Sequence, residues 1–237
     1  MVQENKAGKK EKVRTMFNKI AGSYDFLNHF LSLGIDILWR KKLVRILKQQ
    51  GPKQLLDVAT GTGDLAITAS KIRDVKIVGV DIAEDMLAVG RKKILRKKLE
   101  ERIALEFGDS ENLPFEDKSF DAAMVAFGLR NFENLDLGLS EMNRVLREKS
   151  KIYILEFSIP EKFPVKQLYH FYFKNILPLI GRLVSKDRGA YVYLHDSVQE
   201  FPSGNDFLLR LKNAGFENTV QKKLSFGIAS IYVGEKA

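Results

Sequence analysis

The 237-residue sequence contains no cysteine and only three histidines, His29, His170 and His195. Without cysteine the chain can form neither a disulfide bond nor a thiolate metal site, and reactions that need a cysteine nucleophile are excluded. Three scattered histidines do not suit an all-histidine metal centre either. We therefore expect no bound metal.

Long apolar runs are also missing. The sequence has no uninterrupted apolar stretch of about 18 residues, the length that indicates a membrane-spanning helix. Its N-terminus is polar and basic and has no apolar core, unlike a secretory signal peptide. These two absences predict a cytoplasmic protein.

Acidic residues are outnumbered by basic ones, 30 against 39, which gives a formal net charge of +9. This excess favours an anionic partner, such as nucleic acid, an anionic membrane surface or an acidic small molecule. The basic residues are densest at positions 91–98. We interpret that cluster as the solvated face of a helix, with a nucleic-acid contact as the alternative, and so expect no nucleic-acid partner.

From Pro52 onward, the hydrophobic pattern alternates between short apolar strands and amphipathic helices. Apolar strands joined by helical crossovers indicate an α/β protein whose parallel sheet is covered on both faces. The close spacing of the last two strands suggests an antiparallel pair. The predicted strands are residues 54–58, 76–80, 103–107, 120–126, 151–157, 216–221 and 229–233; the predicted helices are residues 65–72, 84–98, 135–146 and 202–213.

Two segments depart from this alternation. Residues 1–51 contain three aromatic helical patterns before the first strand, which we interpret as a helical lid over cofactor and substrate, with plain packing on the sheet edge as the alternative. Residues 158–201 form an aromatic helical insertion that prolines punctuate. We assign residues 52–237 to one domain that carries this insertion as a substrate-binding element.

Residues 55–64 have the pattern of a buried strand, a tight glycine turn and the first turn of a helix. Gly61, Gly63 and Ala66 satisfy the dinucleotide fingerprint G-x-G-x-x-G/A, which is weak evidence alone. Asp81 directly follows the next strand, where a carboxylate can accept both hydroxyls of a ribose. The alternative role for Asp81 is an N-cap of the following helix.

Carboxylates near the glycine turn distinguish between nucleotide cofactors. Asp57 and Asp64 flank the turn, and they would repel a pyrophosphate but attract a sulfonium or an α-ammonium group. Asp109, followed by Ser110, suits an adenine amine that donates hydrogen bonds, although an aspartate there can also cap a turn. The residues favour S-adenosylmethionine over NAD, and an NAD-dependent oxidoreductase remains the distant alternative.

These residues belong to a longer series of motifs, of which Phe-Gly-Leu-Arg-Asn at residues 127–131 is the most distinctive. The other blocks are residues 16–25, 56–66, 108–115, 119–121, 155–158 and 224–228. Together they make almost the whole chain resemble the menaquinone and ubiquinone C-methyltransferases, within the class I S-adenosylmethionine-dependent family.

This resemblance implies a doubly wound, Rossmann-like sheet of seven mostly parallel strands, with an antiparallel last strand, an N-terminal helical lid and a helical insertion after the fifth strand. It implies methyl transfer from S-adenosylmethionine to a ring carbon of a polyprenyl quinol. Demethylmenaquinol is the first choice of acceptor, and the ubiquinone-pathway benzoquinol or another small molecule is the alternative.

The resemblance also implies roles for individual residues. Arg130 would stand beside the quinol and support its ionisation through a charge-assisted hydrogen bond, with a structural salt bridge as the alternative. Tyr24 and Tyr193 are candidates for the substrate pocket, and Asp196 or His195 for the general base. The cofactor would be bound by Asp57, Gly61, Thr62, Gly63, Asp81, Asp109 and Ser110.

Two positions depart from the family pattern. Thr60 stands where the family commonly has glycine or cysteine, so we expect its branched side chain to narrow the methionine end of the cofactor pocket. Residues 147–150 replace a Pro-Gly-Gly turn, far from the predicted site.

The aromatic insertion suits a lipid-like substrate, because each methylene of an isoprenoid chain gains about 0.8 kcal/mol on leaving water. We expect residues 163–180 to form an apolar groove for the first isoprene units, and basic side chains to hold the protein against anionic lipid at the inner face of the membrane. The alternatives are an ordinary subdomain core or a homodimer interface. The basic residues concerned are Lys166, Lys174, Arg182 and Lys186.

Overall fold

The computed structural model of the chain describes residues 8–172, 175 and 188–237. Lys174, Arg182 and Lys186, three of the four lysines and arginines predicted to meet lipid, lie outside the described residues. The C-terminal part of the predicted groove at 163–180 lies outside them as well.

Seven strands of the described chain form a single sheet. They are β1 (Gln54–Val58), β2 (Lys76–Asp81), β3 (Ile103–Phe107), β4 (Phe120–Ala126), β5 (Leu146–Phe157), β6 (Phe216–Leu224) and β7 (Ala229–Lys236). Their order is β3-β2-β1-β4-β5-β7-β6. β1 pairs in parallel with β2 and β4, whereas β7 runs antiparallel to β5 and β6. The predicted doubly wound sheet with an antiparallel last strand is confirmed.

The helices of the described residues cover both faces of this sheet. They are α1 (Lys9–Ile20), α2 (Tyr24–Leu31), α3 (Ile35–Leu47), α4 (Asp64–Ala69), α5 (Glu84–Arg96), α6 (Leu135–Val145), α7 (Val165–Phe171), α8 (Arg188–Glu200) and α9 (Asn205–Asn213). α1 packs against α5, and α3 packs against α4 and β5. No helix in the described part of the chain has the length and apolar character needed to cross a bilayer.

The side chains of β1 explain why the sheet is covered twice. Leu55 is buried with residues of α3, α4 and α5, whereas Leu56 and Val58 are buried on the opposite face with residues of α6 and α9. Because side chains alternate along a strand, Asp57 lies on the same face as Leu55, towards α3 and α4. The direction of chain crossover changes between β1 and β4, which opens a crevice at their carboxyl ends.

The largest difference from the predicted strands is at β5, which begins at Leu146 rather than residue 151. Leu146 pairs with Phe120 across a register shift, and Lys149 adopts a left-handed conformation with φ of 59°. Residues 147–150 therefore form an irregular excursion within a longer strand instead of a turn that precedes it. Their polar sequence conceals this, because the apolar pattern begins only after the excursion.

Candidate functional site

The turn between β1 and α4 is held open by glycine conformations and anchored by a buried carboxylate. Gly61 and Gly63 have φ values of 56° and 77°, which favour residues without a Cβ. One oxygen of Asp57, Oδ2, accepts hydrogen bonds from the Thr60 hydroxyl at 2.7 Å and from the Ala66 amide at 3.1 Å. These bonds tie the end of β1 to the first turn of α4.

Burial changes the acidity of Asp57. Its side chain is almost fully buried, and desolvation raises its pKa to about 7, against the lowering effect of the hydrogen bonds from Thr60 and Ala66. A cation placed beside a carboxyl group favours its ionised form and lowers its pKa. Asp57 is therefore a group whose charge a cationic ligand would stabilise.

The hydroxyl of Thr60 turns towards Asp57, and a Cβ built on Gly79 would come within 3.0 Å of the Thr60 Cβ. Thr60 still lines the cavity described below, so the predicted narrowing of the cofactor pocket stays a prediction.

Asp81, at the end of β2, contacts both the glycine turn and the following helix. Its Oδ2 accepts a hydrogen bond from the Gly61 amide at 2.8 Å, and its Oδ1 accepts one from the Ala83 amide at 2.9 Å. Burial raises the pKa of Asp81. The Asp81 carboxylate thus joins the glycine turn to the start of α5 and also lines the cavity described below, and its role at the ribose stays a prediction.

Asp109, after β3, is paired with the N-terminal helix. Its Oδ2 accepts from the Lys10 ammonium at 2.8 Å, and its Oδ1 accepts from the Glu111 amide at 2.9 Å. Lys10 also lies 3.1 Å from Glu111 Oε2. The sequence gives no local signal for this contact, because 99 residues separate Lys10 from Asp109.

These elements enclose a cleft of about 890 Å³, part of which is open to solvent, and we call it the acidic cavity. Six carboxylates line it, accompanied by the cations of Lys10 and Arg40. They are Asp57, Asp64, Asp81, Asp109, Glu111 and Glu133. Of the residues predicted to bind the cofactor, Asp57, Gly61, Thr62, Asp81, Asp109 and Ser110 line this cavity. Gly63 shapes the turn instead, as the residue that precedes α4.

A second cavity of about 520 Å³, which we call the apolar cavity, adjoins the first, and Phe17 and Tyr24 line both. Its walls are mostly aliphatic or aromatic, with the polar groups of Tyr24, Asn28, Arg130 and Tyr193 among them. The three residues predicted to bind the substrate, Tyr24, Arg130 and Tyr193, are thus brought together here from three separate parts of the chain.

Arg130 is the charged group of the apolar cavity, and its guanidinium is nearly buried. Nη1 donates to Glu156 Oε1 at 2.9 Å and to the Phe127 carbonyl, and the guanidinium lies 5.3 Å from the centre of the Phe157 ring. Nε has no hydrogen-bond partner among the described residues. A buried donor without a partner is costly, so Nε destabilises this arrangement.

Glu156 is the partner that sequence reasoning missed. It is fully buried at the end of β5, and that burial raises its pKa although Arg130 lowers it. Glu156 lies within one of the motifs that carry the family resemblance. The signal available in the sequence was an acidic residue at the end of an apolar strand. The pairing itself depends on β4 and β5 being neighbours in the sheet.

Two tyrosines complete the apolar cavity. Burial raises the pKa of both Tyr24 and Tyr193, so their hydroxyls stay protonated at neutral pH. The Tyr193 hydroxyl donates to Asn131 Oδ1 at 3.0 Å, and the Tyr24 ring makes an edge contact with Phe17 at 5.8 Å between centroids. Both side chains can present a hydroxyl to a ligand without carrying a charge.

The predicted general bases lie elsewhere. His195 Nδ1 is 3.0 Å from Asp196 Oδ1, and their side chains are 43% and 58% exposed. Neither residue lines the acidic or the apolar cavity, although their neighbours Tyr193 and Leu194 do. A role as general base stays a prediction for both.

A buried ion network also links the N-terminal helices to the glycine turn. Lys93 Nζ lies 2.7 Å from Asp25 Oδ2 and contacts Asp64, and the Thr62 hydroxyl donates to Asp25. Lys93 belongs to the cluster interpreted as a solvated face, but it is mostly buried here. Its contacts were not predicted because they join three segments that are distant in sequence.

Close packing beside the acidic cavity gives a prediction for Gly128. A Cβ at this position would lie 2.6 Å from the Cβ of Ala59, which is itself in a left-handed conformation with φ of 51°. We expect Gly128→Ala to destabilise the fold by about 1–3 kcal/mol through overpacking. The melting temperature should decrease by roughly 2–4 °C for each kcal/mol lost from the free energy of unfolding, as measured by thermal denaturation. Gly22→Ala is the matched control, because a Cβ there meets nothing within 4 Å; an equal melting temperature for the two variants would contradict the packing.

Comparison with known proteins places this site in context. The model of the ubiE/COQ5 methyltransferase family matches residues 5–236. The demethylmenaquinone methyltransferase of Bacteroides fragilis is 45% identical over 233 residues, which cover 98% of this chain and 95% of that protein. The ubiquinone/menaquinone biosynthesis C-methyltransferase UbiE of Geobacter sulfurreducens is 46% identical over 230 residues, which cover 96% of this chain and 90% of that protein.

Solved structures resemble the fold at much lower identity. A SAM-dependent methyltransferase from Thermotoga maritima matches with a TM-score of 0.65 at 18% identity and covers 95% of this chain and 100% of its own. The [4+2]-cyclase SpnF matches with a TM-score of 0.63 at 17% identity and covers 83% of this chain and 80% of its own. These two similarities establish the architecture alone.

Proposed function

Because this chain belongs to the ubiE/COQ5 methyltransferase family, we propose that it transfers a methyl group from S-adenosylmethionine to a ring carbon of a polyprenyl quinol, with demethylmenaquinol as the acceptor. The main observation in support of this proposal is that two cavities of different chemistry meet at Phe17 and Tyr24. One is lined by carboxylates, and the other is mostly apolar, with the guanidinium of Arg130 as the charged group among its described lining residues. A cationic adenosyl donor suits the first, and a hydrophobic phenolic acceptor suits the second.

The acidic cavity fits S-adenosylmethionine by its chemistry. Its carboxylates attract a sulfonium and an α-ammonium group and would repel the pyrophosphate of a dinucleotide. Asp57 would face the cationic end, Asp81 would accept from the ribose hydroxyls, and Asp109 would accept from the adenine amine. Lys10 already contacts Asp109, so adenine binding would share that carboxylate with α1.

When bound, S-adenosylmethionine would supply an electrophilic methyl group: an electron-rich ring carbon bonds to it in line, S-adenosylhomocysteine leaves, and the ring then loses the proton on that carbon. The protein must then hold the ring close to the donor, which is a matter of positioning more than of proton transfer. It must also favour the ionised quinol, because a phenolate makes its ring carbons more nucleophilic. The guanidinium of Arg130, which lines the apolar cavity, would donate to the quinol oxygen and stabilise the developing negative charge in a low-dielectric site.

Glu156 would act as a positioning residue for Arg130. It accepts from the guanidinium at 2.9 Å and lies 3.5 Å from the Arg130 amide, so it would orient both the side chain and the 3-10 helix Leu129–Asn131 that carries it.

Two measurements test this function against its alternatives. Calorimetric titration should show binding of S-adenosylhomocysteine and no comparable binding of NAD; tighter binding of NAD would favour an oxidoreductase. Steady-state assays with demethylmenaquinol and with the ubiquinone-pathway benzoquinol should give a higher kcat/KM for the naphthoquinol. A higher value for the benzoquinol would reassign the acceptor while leaving the reaction class intact.

The pKa of Asp57 gives the cofactor affinity a pH dependence. With that pKa at about 7, the carboxyl is mostly neutral at pH 6 and mostly ionised at pH 8, and a cationic ligand prefers the ionised form. We expect the affinity for S-adenosylmethionine to increase by about tenfold between these pH values. Calorimetry across this range measures the change, and Asp57→Asn should flatten it. A wild-type affinity independent of pH would contradict the placement of Asp57 beside the cation.

A further inference from the structure

Large apolar side chains are exposed on three neighbouring parts of the molecule. Leu33 at the tip between α2 and α3 is 82% exposed, Phe163 before α7 is 81% exposed, and Phe226 between β6 and β7 is 84% exposed. We call the surface that they form with their exposed neighbours the apolar face. Those neighbours are Phe26, Phe30, Ile37, Leu38, Leu168 and Phe171.

Contacts between the backbone segments show that these parts adjoin one another. The Trp39 indole of α3 donates to the Ser225 hydroxyl at 3.0 Å, which places Phe226 beside α3. The Tyr172 hydroxyl, just after α7, donates to the Leu31 carbonyl at the end of α2 at 2.8 Å. The pair of helices α2 and α3 therefore contacts both of the other segments, α3 through Trp39 and α2 through Leu31.

Two further contacts join the segment that carries Phe226 to the segment that leads to Phe163. Lys223 Nζ lies 3.1 Å from Glu161 Oε1, and a Cβ on Gly227 would lie 3.5 Å from the Pro160 backbone. The turn that carries Phe226 thus lies against the segment that leads to Phe163. The three segments that carry the apolar face are therefore neighbours of one another.

The two outermost tips have an unusual backbone. Leu33 and Phe226 adopt left-handed conformations with φ of 52° and 58°, where glycine, asparagine or aspartate is usual. A large apolar residue in this conformation is unfavourable for two reasons, because its backbone is strained and its apolar side chain is exposed to water. The arrangement becomes favourable when the tips enter an apolar medium.

Positive charge surrounds this face. Lys41, Lys42 and Arg45 follow Leu38 on α3, and their side chains are exposed. Lys162 and Lys166 are exposed next to Phe163, and none of these five residues forms a salt bridge within the described ranges. Unpaired cations around protruding apolar side chains are typical of proteins that bind the surface of an anionic bilayer.

We propose that the apolar face docks on the surface of an anionic lipid bilayer. Two copies of the chain would bring like charges together if they paired through this face, whereas anionic headgroups complement them. Leu31 lines the apolar cavity and also contacts Tyr172 next to the face, so docking would place that cavity beside the lipid that holds the substrate. This last step rests on the proposed quinol methylation; the docking itself does not.

Vesicle sedimentation at low ionic strength tests the docking. The wild type should bind vesicles that contain phosphatidylglycerol and bind pure phosphatidylcholine vesicles weakly. The double variant Leu33→Asp and Phe226→Asp should bind the anionic vesicles at least about tenfold more weakly. Aspartate tolerates the left-handed conformation at both positions, so the fold should survive. Leu95→Asp on α5 and Leu209→Asp on α9 replace leucines that are 64% and 58% exposed away from this face, and they should bind like the wild type.

Equal vesicle binding by the double variant and the wild type would overturn the proposal. So would a dimer that the double variant converts to a monomer while the wild type ignores vesicles, because the face would then be an interface between copies. Methyl transfer to a short-chain quinol in solution separates this question from the proposed function. The double variant should retain that activity and lose turnover only on a long-chain quinol embedded in vesicles; a wild type that methylates neither quinol yet binds vesicles would refute the function alone.

Discussion

Asp81→Ala should weaken the binding of S-adenosylmethionine and S-adenosylhomocysteine by about 100-fold or more. The carboxylate accepts from the Gly61 amide and would accept from the ribose hydroxyls, and each hydrogen bond to a charged group contributes about 1.5–3 kcal/mol. Losing two ribose contacts alone therefore accounts for about two decades of affinity. Loss of the carboxylate also removes the link between the glycine turn and the start of α5, because Asp81 accepts a hydrogen bond from the Ala83 amide.

Asp81→Asn is the informative companion. It retains an oxygen that can accept from the Gly61 amide but lacks the charge and one acceptor, so its affinity should lie between those of the wild type and Asp81→Ala. Calorimetric titration with S-adenosylhomocysteine measures all three proteins, and circular dichroism checks that each is folded. Wild-type affinity in folded Asp81→Ala would remove Asp81 from the ribose site and leave it as a helix cap.

Arg130→Ala should lower kcat by about 100-fold to 1000-fold, the usual cost of removing one donor from an oxyanion site. Because Arg130 lines the apolar cavity and not the acidic one, affinity for S-adenosylhomocysteine should change little. Measuring kcat with the quinol and titrating the cofactor product on the same preparation provides both readouts. Equal losses of turnover and cofactor affinity would mean that Arg130 has a structural role.

Two conservative variants separate catalysis from folding. Arg130→Lys keeps a cation for Glu156 but removes the planar set of guanidinium N–H donors, so it should fold normally and still lose most of the turnover. Glu156→Gln keeps the shape of the anchor and should lower kcat by about tenfold while altering the pH profile of turnover. Wild-type turnover in Arg130→Lys would show that turnover does not depend on the guanidinium donors.

The elements that the sequence predicted well are those whose own residues determine them. β1, β3 and β4 have the predicted bounds, because each begins directly after a polar residue; β1 and β4 end where Ala59 and Phe127 adopt left-handed conformations. The early start of β5 escaped because it depends on pairing between Leu146 and Phe120, not on local hydrophobicity. Tertiary contact can thus extend a strand through residues that locally favour a turn.

The same division holds at the site. Asp57 and Asp81 could be predicted because each lies at the carboxyl end of an apolar strand near the glycine turn, which is a local pattern. The pairing of Arg130 with Glu156, and of Lys10 with Asp109, joins residues 26 and 99 positions apart, and no spacing rule anticipates either contact. Their chemistry follows from the order of the strands and from where α1 packs.

Transfer of a labelled methyl group is the most direct test of C-methylation by this protein. Incubation of the protein with trideuteromethyl S-adenosylmethionine and reduced demethylmenaquinone, followed by mass and NMR analysis, identifies both the product and the atom that receives the label. We predict a menaquinol that carries one trideuterated methyl group on a ring carbon. A methyl ether on a quinol oxygen, or an unlabelled quinol recovered alongside unused donor, would contradict C-methylation as the function of this site.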